Sequence, residues 1–214
     1  FLLWPATLGQ KRDIGPIEIG MGETAPLDAE SPHNVSVLAN RTALVMNATL
    51  FSSLVFGGLF LLVVAPNWQG VAPFAAPLVA MGLALVAAVT GAVLTGLARR
   101  ATAGGASAAP ITLAAGLAQV LSGLALVYAM TQIPDPTGHA RDAVIFVLLV
   151  YAALHMGLAA ILSLHALWRT SQGFVSASRQ TELILAWLWG GYGAAVTTAA
   201  LGMGLVLSGV GSAA

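Results

Sequence analysis

The side chains able to do proton, metal or redox chemistry are few in this sequence. His33, His139, His155 and His165 are its four histidines, and it has no cysteine. Without cysteine there is no thiolate metal site, no iron–sulfur ligand set, no disulfide and no thiol nucleophile. His155 and His165 share one apolar segment. Ten helical residues turn through about 1000°, which leaves the two rings about 80° apart in direction and about 15 Å apart along the axis. They cannot ligate one metal. His33 and His139 fall outside the apolar segments, so a haem held between two embedded histidines lacks its second ligand. His155 therefore reads as a neutral, hydrogen-bonded packing residue, with Tyr151 one turn earlier on the same face. Asp142 and Glu182 stand at the starts of apolar segments, where the helix dipole favours an acid, and read as helix-end markers rather than proton carriers. Ser163 and His165 point in different directions on a helix and have no embedded acid beside them. No nucleophile elbow, paired-histidine zinc motif or phosphate loop occurs. No catalytic, cofactor-binding or metal-ligating residue is assigned to the chain.

Those sparse polar groups sit in a composition that dictates their surroundings. Of 214 residues, 58% are hydrophobic and 7% are charged, with a mean hydropathy of +0.89. A soluble domain carries about 25% charged residues to cover its surface, so the chain is expected to be an integral membrane protein. Its zero formal charge excludes nucleic acid as a partner. Five apolar segments, at about 42–65, 75–98, 108–131, 142–168 and 181–209, each reach the roughly 20 residues that cross about 30 Å of hydrocarbon. Backbone amides in lipid must bond internally, and segments of this length do so as helices. The expected fold is all-α, a polytopic membrane bundle of five transmembrane helices over 42–214. Residues 1–41 form a polar arm with an apolar tip, punctuated by Pro5, Pro16, Pro26 and Pro32 and holding five acids, Asp13, Glu18, Glu23, Asp28 and Glu30. Phe1 to Trp4 read as an interfacial anchor or as the end of a preceding membrane helix.

Charge also sets an expected orientation. The arm and the second and fourth interhelical loops hold Lys11, Arg12, Arg41, Arg99, Arg100, Arg169 and Arg179, and only Arg141 lies opposite. Basic residues in short loops stay cytoplasmic, so the N-terminus is expected in the cytoplasm and the C-terminus in the periplasm of a bacterial inner membrane. The sequons at Asn34, Asn40 and Asn47 then face the wrong side for glycosylation. Gly57, Gly58, Gly91, Gly96, Gly190, Gly191, Gly193, Gly202 and Gly204 are expected at close helix contacts. Asn47, Gln119, Ser122, Thr197 and Thr198 are expected to supply interhelical hydrogen bonds. Trp68, Trp168 and Tyr128 suit interfacial belts.

From Arg41 onward the chain resembles subunit III of the haem-copper oxidases in its five-helix form. The resemblance is carried by Tyr151-Ala-Ala-Leu-His155-Met-Gly157 and by Trp168-Arg-Thr-Ser-Gln-Gly-Phe-Val-Ser-Ala-Ser-Arg179. His155 falls on the second histidine of the family's His-Gly-Leu-His segment, and Ala152 replaces the first. Trp187-Leu-Trp189-Gly190-Gly191 keeps the tryptophan of the last helix and loses the histidine that often follows. The third segment, between Pro110 and Thr131, lacks the family's buried glutamate.

The resemblance implies an accessory, non-redox subunit that packs on subunit I, with subunit II and membrane lipids as further partners. It implies haem and copper in subunit I, none in this chain, and bound phospholipid. It further implies support of assembly and of sustained proton-coupled oxygen reduction, without catalytic residues here. His155, Tyr151, Trp189 and Arg179 are the structural, lipid-facing or subunit-contact residues it implies. Because this subunit is fused behind subunit I in some bacteria and archaea, Phe1 is consistent with a subunit I/III fusion as well as with a processed start. The alternatives are an accessory or anchor subunit of another membrane complex, such as a nitric oxide reductase, and a small permease.

Overall fold

The computed structural model describes residues 17–25, 34–65, 68, 77–133 and 135–209. The apolar tip Phe1 to Trp4 and most of the arm lie outside them. Two short strands, β1 (Ile17–Gly20) and β2 (Glu23–Ala25), pair antiparallel. They join through Gly20, Met21 and Gly22, all at positive φ. Two of these three are glycines, which take that conformation without a Cβ clash. This piece of the arm is therefore a small hairpin and not the plain loop its sequence suggests. The Gly-Met-Gly turn is the signal that reading passed over.

Among the described residues five helices follow: α1 (Val35–Val64), α2 (Leu78–Ala103), α3 (Ala109–Thr131), α4 (Ala140–Ser171) and α5 (Thr181–Gly209). All five are long and apolar enough to cross a membrane. The chain has the fold of a multi-pass helical membrane protein. α1 begins at Val35, inside the stretch that reads as arm, because Asn34 caps it: the Asn34 side chain accepts from the Val37 N–H at 2.8 Å. Such a cap satisfies one of the amides left open at a helix start.

α2 and α4 stop in the same way. Gly105 (φ 76°) and Gly173 (φ 75°) turn left-handed. Ala106 then donates to the Ala101 carbonyl at 2.9 Å, and Phe174 to the Arg169 carbonyl at 3.0 Å. These are Schellman closures, in which a glycine just past the helix lets the chain fold back and satisfy open carbonyls. The second closure brings the Phe174 ring under the Arg169 guanidinium.

α2, α3, α4 and α5 pack in chain order, and α5 closes back on α2 to form a four-helix ring. α1 stands outside that ring, packed on α4 and α5. The main core lies among Ala84, Ala88, Leu126, Leu148, Leu149, Ala152, Met156 and Ala200. Alanine is frequent here because small residues let helix backbones approach where lipid supplies no hydrophobic drive. The glycines divide on this point. A Cβ on Gly58 would meet Val144 at 2.7 Å, on Gly91 Gln119 at 2.7 Å, and on Gly193 Met156 at 2.9 Å. Gly57, Gly191 and Gly202 have nothing within 4 Å, so the expectation of close contact fails for these three. Trp68 also departs from expectation: it is 3% exposed, edge-on to the His139 ring, rather than facing headgroups. Tyr128 is 55% exposed, as a belt residue would be.

Candidate functional site

His155 and Tyr151 lie one helical turn apart on α4, and this turn meets α1 and α5. His155 Nδ1 lies 2.8 Å from the Tyr151 carbonyl oxygen, and the two rings are 4.2 Å apart. A carbonyl only accepts, so Nδ1 carries the ring proton. Nε2 lies 3.2 Å from Asn47 Oδ1 on α1. The Asn47 Nδ2 donates to the Ala43 carbonyl at 2.8 Å, which sets the amide oxygen toward the knot. The Tyr151 hydroxyl donates to the Asn47 carbonyl at 2.8 Å and lies 3.1 Å from the Tyr192 hydroxyl on α5. Trp189 stacks on His155 at 6.0 Å and 16°, and Phe51 of α1 tilts over Tyr151 at 5.3 Å. The Trp189 indole N–H donates to Asn40 Oδ1 at 2.8 Å. This is a polar knot wrapped in aromatic rings, and its bonds join three helices.

Three of the four residues singled out in sequence, His155, Tyr151 and Trp189, thus come together. Arg179 does not. It lies in the α4–α5 connection, with its guanidinium 5.9 Å from the Phe174 ring centre, and its buried Nε has no hydrogen-bond partner among the described residues. Sequence reasoning missed Asn40 as part of the knot. Asn34, Asn40 and Asn47 look like sequons, yet each bonds to another helix: Asn34 Nδ2 donates to Thr181 Oγ1 at 2.6 Å, Asn40 Oδ1 accepts from Trp189, and Asn47 accepts from the Tyr151 hydroxyl and lies against His155 Nε2. The available signal was the seven-residue gap between Asn40 and Asn47, which returns nearly to one helix face.

A second polar group fills the centre of the ring. Ser163 Oγ of α4 donates to Gln119 Oε1 of α3 at 2.7 Å, and both are fully buried. Gly190 of α5 leaves room for the Gln119 amide, since a Cβ there would lie 2.9 Å from Nε2. Ser122 donates to the Ala84 carbonyl of α2 at 2.8 Å. Gln119 and Ser122 therefore do supply the expected interhelical bonds. Thr197 and Thr198 do not: Thr197 Oγ1 is buried with no partner among the described residues, and Thr198 bonds back to Ala194 within α5.

The acids at the helix starts are both paired. Arg141 Nε meets Asp142 Oδ1 at 3.1 Å, and Arg169 Nε meets Glu182 Oε1 at 2.9 Å. The Arg169 guanidinium also lies 3.8 Å above Phe174. His165 stands near this end with its ring 5.9 Å from Trp168, remote from the His155 knot. Among the described residues, no group of three or more histidine, aspartate or glutamate side chains converges to hold a metal ion. Outside the helices, Asp135 holds its turn by accepting from the Thr137 hydroxyl at 2.9 Å, the Thr137 N–H at 3.1 Å and the Gly138 N–H at 2.9 Å. These bonds, the Thr137 hydroxyl first, hold its carboxyl below the ordinary aspartate range.

Every named contact of the knot is a packing bond, and its chemistry is that of a clasp. The fold and this site define a class: a polytopic helical membrane protein with one helix clasped to a four-helix ring through buried polar bonds. Comparison with protein-family models, curated proteins and solved structures finds no match for the chain.

Proposed function

We propose that the chain is an accessory, non-redox component of a haem-copper terminal oxidase, similar to subunit III. In this reading it packs on subunit I, with subunit II in the same assembly, and it supports assembly, lipid binding and sustained turnover. Haem and copper belong to subunit I. The membrane is a bacterial inner membrane, with the N-terminal arm cytoplasmic and the C-terminus periplasmic, as the distribution of basic residues favours. One observation carries the reading beyond the sequence resemblance: α1 presents a wide uncovered apolar face. Phe56, Leu59, Phe60 and Val63 are all more than 40% exposed, although polar bonds hold the helix firmly to α4 and α5. Lipid alone would satisfy such a face, but a fixed helix held out from its own bundle is what a subunit contact needs.

Mild detergent extraction through a tag on this chain, a reduced-minus-oxidised spectrum and mass spectrometry of every co-purifying chain test the proposal. Haem bands together with a haem-copper subunit I are expected, as a separate chain or as one long polypeptide. A colourless protein purified alone would sink it and send the work to transport assays.

A further inference from the structure

α2 and α5 do not close completely. Between them lies a groove of about 870 Å³. One end is formed by Arg99 and Arg100, in the last turn of α2, with Ile184 in the first turn of α5 beside it, and the wall beyond is apolar, with Val89, Val93 and Ala194 along it. Gly96 and Trp187 stand at the junction of the two parts. From Val89 to Arg100 the helix rises about 16 Å, close to half of the roughly 30 Å hydrocarbon thickness. The groove is thus one leaflet deep, basic at its aqueous end and greasy toward the midplane.

Among the described residues its charge is uncompensated: no aspartate or glutamate of theirs lines it, and neither arginine forms a salt bridge with them. Arg99 is nonetheless positioned: its guanidinium lies 5.1 Å over the Trp187 ring. A guanidinium held by its face on an aromatic ring keeps its N–H edge free for a phosphate. Cationic side chains at this depth attract anionic headgroups. We infer that the α2–α5 groove holds one anionic phospholipid, with its phosphate at Arg99 and Arg100 and an acyl chain along Val89, Val93 and Ala194. This site takes up the lipid-binding element of the proposed function and does not depend on the oxidase assignment.

The test uses the protein with its co-purifying chains. The mild-detergent extract is exchanged into micelles of equal dioleoylphosphatidylglycerol and dioleoylphosphatidylcholine, and bound lipid is read by native mass spectrometry. Phosphatidylglycerol is expected to remain bound at least fivefold more than phosphatidylcholine. Arg99→Gln with Arg100→Gln should bring the two to parity, while Arg99→Lys with Arg100→Lys should retain most of the preference. Val93→Trp, which keeps both arginines and fills the groove, should also abolish it. Equal retention in the unaltered protein would overturn the site. So would a preference that survives Val93→Trp, because charge would then act without the groove. Displacement by millimolar inorganic phosphate would assign the arginines to a free anion and overturn the lipid. Loss of the preference with subunit I still co-purifying would remove the lipid site alone. A colourless chain that keeps the preference would remove the oxidase reading alone.

Discussion

Half of the most apolar window of α4 is buried within the protein, against 11% for the corresponding window of α1. The two helices are similar in length and greasiness yet are held by different means. Around the ring, backbones approach through Ala84, Ala88, Gly91, Ala152, Gly190 and Gly193, and the binding is close van der Waals contact. α1 buries little beyond Val37, Phe51 and Gly58. It is held instead by asparagine side chains that reach across to Thr181, Trp189 and His155, and by the Asn47 backbone carbonyl, which accepts from Tyr151. Hydrogen bonds between membrane helices are worth roughly 0.6–1.7 kcal/mol each. A few of them can secure a helix whose remaining surface is left uncovered. The ring therefore carries the fold, and α1 extends it outward.

Breaking the ring should cost most. Arg169→Met strands Glu182, whose side chain is only 13% exposed, and uncompensated buried charge typically costs about 3–5 kcal/mol. We expect a marked fall in the thermal unfolding midpoint in detergent and poor recovery of monodisperse protein. A midpoint within a degree of the parent would show the pair to be solvated. Gly190→Leu drives side-chain atoms into Gln119 and Thr95, and overpacking of this kind costs about 1–3 kcal/mol. The same melting curve checks it, with Gly191→Leu, which faces open space, as the silent comparison.

Loosening α1 should cost less and show elsewhere. His155→Leu removes the ring contact with Asn47 and should lower stability by roughly 0.6–1.7 kcal/mol. On the accessory-subunit reading it should shorten turnover lifetime more than it lowers initial rate. Immediate loss of electron transfer would contradict that reading. Phe60→Ala lies on the uncovered face of α1, 56% exposed, so the stability of the isolated chain should change by no more than about 0.5 kcal/mol. Recovery of the co-purifying partner should fall instead; undiminished recovery would clear this face of a subunit contact.

The smallest effect concerns the turn before α4. The Asp135 carboxyl is held below its ordinary value of 3.8 by the Thr137 and Gly138 bonds. A depressed folded-state pKa favours the fold above the unfolded value, and that contribution disappears as pH falls through the folded one. Amide exchange at Thr137 and Gly138 should therefore be unchanged from neutral pH to about pH 5, after allowance for intrinsic rates, and should accelerate below the ordinary value. Acceleration already at pH 6 would point to a different group.

Helix number and placement were legible in the sequence because lipid demands long apolar runs, and proline and glycine punctuate them. The first boundary was misplaced by the asparagine cap. Asn34 looks like one more polar arm residue until Val37 is seen bonded to it. His155, Tyr151 and Trp189 were legible as residues of the spans, and the one-turn spacing of the first two put them on one face. Their partner Asn40 was not, because hydropathy records that a residue is polar and not which helix it reaches. The glycines teach the same limit. Gly190 and Gly191 are neighbours in sequence, yet one faces the Gln119 amide and the other faces open space. The polar pair Thr197 and Thr198 fails as interhelical glue for that reason too.

The ion pairs at the two ends of α4 act as stops on a ruler. Asp142 and Arg169 are separated by about 40 Å of helix at 1.5 Å per residue, with no charged side chain between them. A hydrocarbon layer near 30 Å is shorter than that span, and the mismatch is met by tilting, kinking or local thickening of the bilayer. Because α4 is locked into the ring on both sides, it cannot lean alone. Where tilting meets the mismatch, the whole ring inclines with it, and bilayer thickness is then converted into the angle at which α1 meets whatever lies beside it.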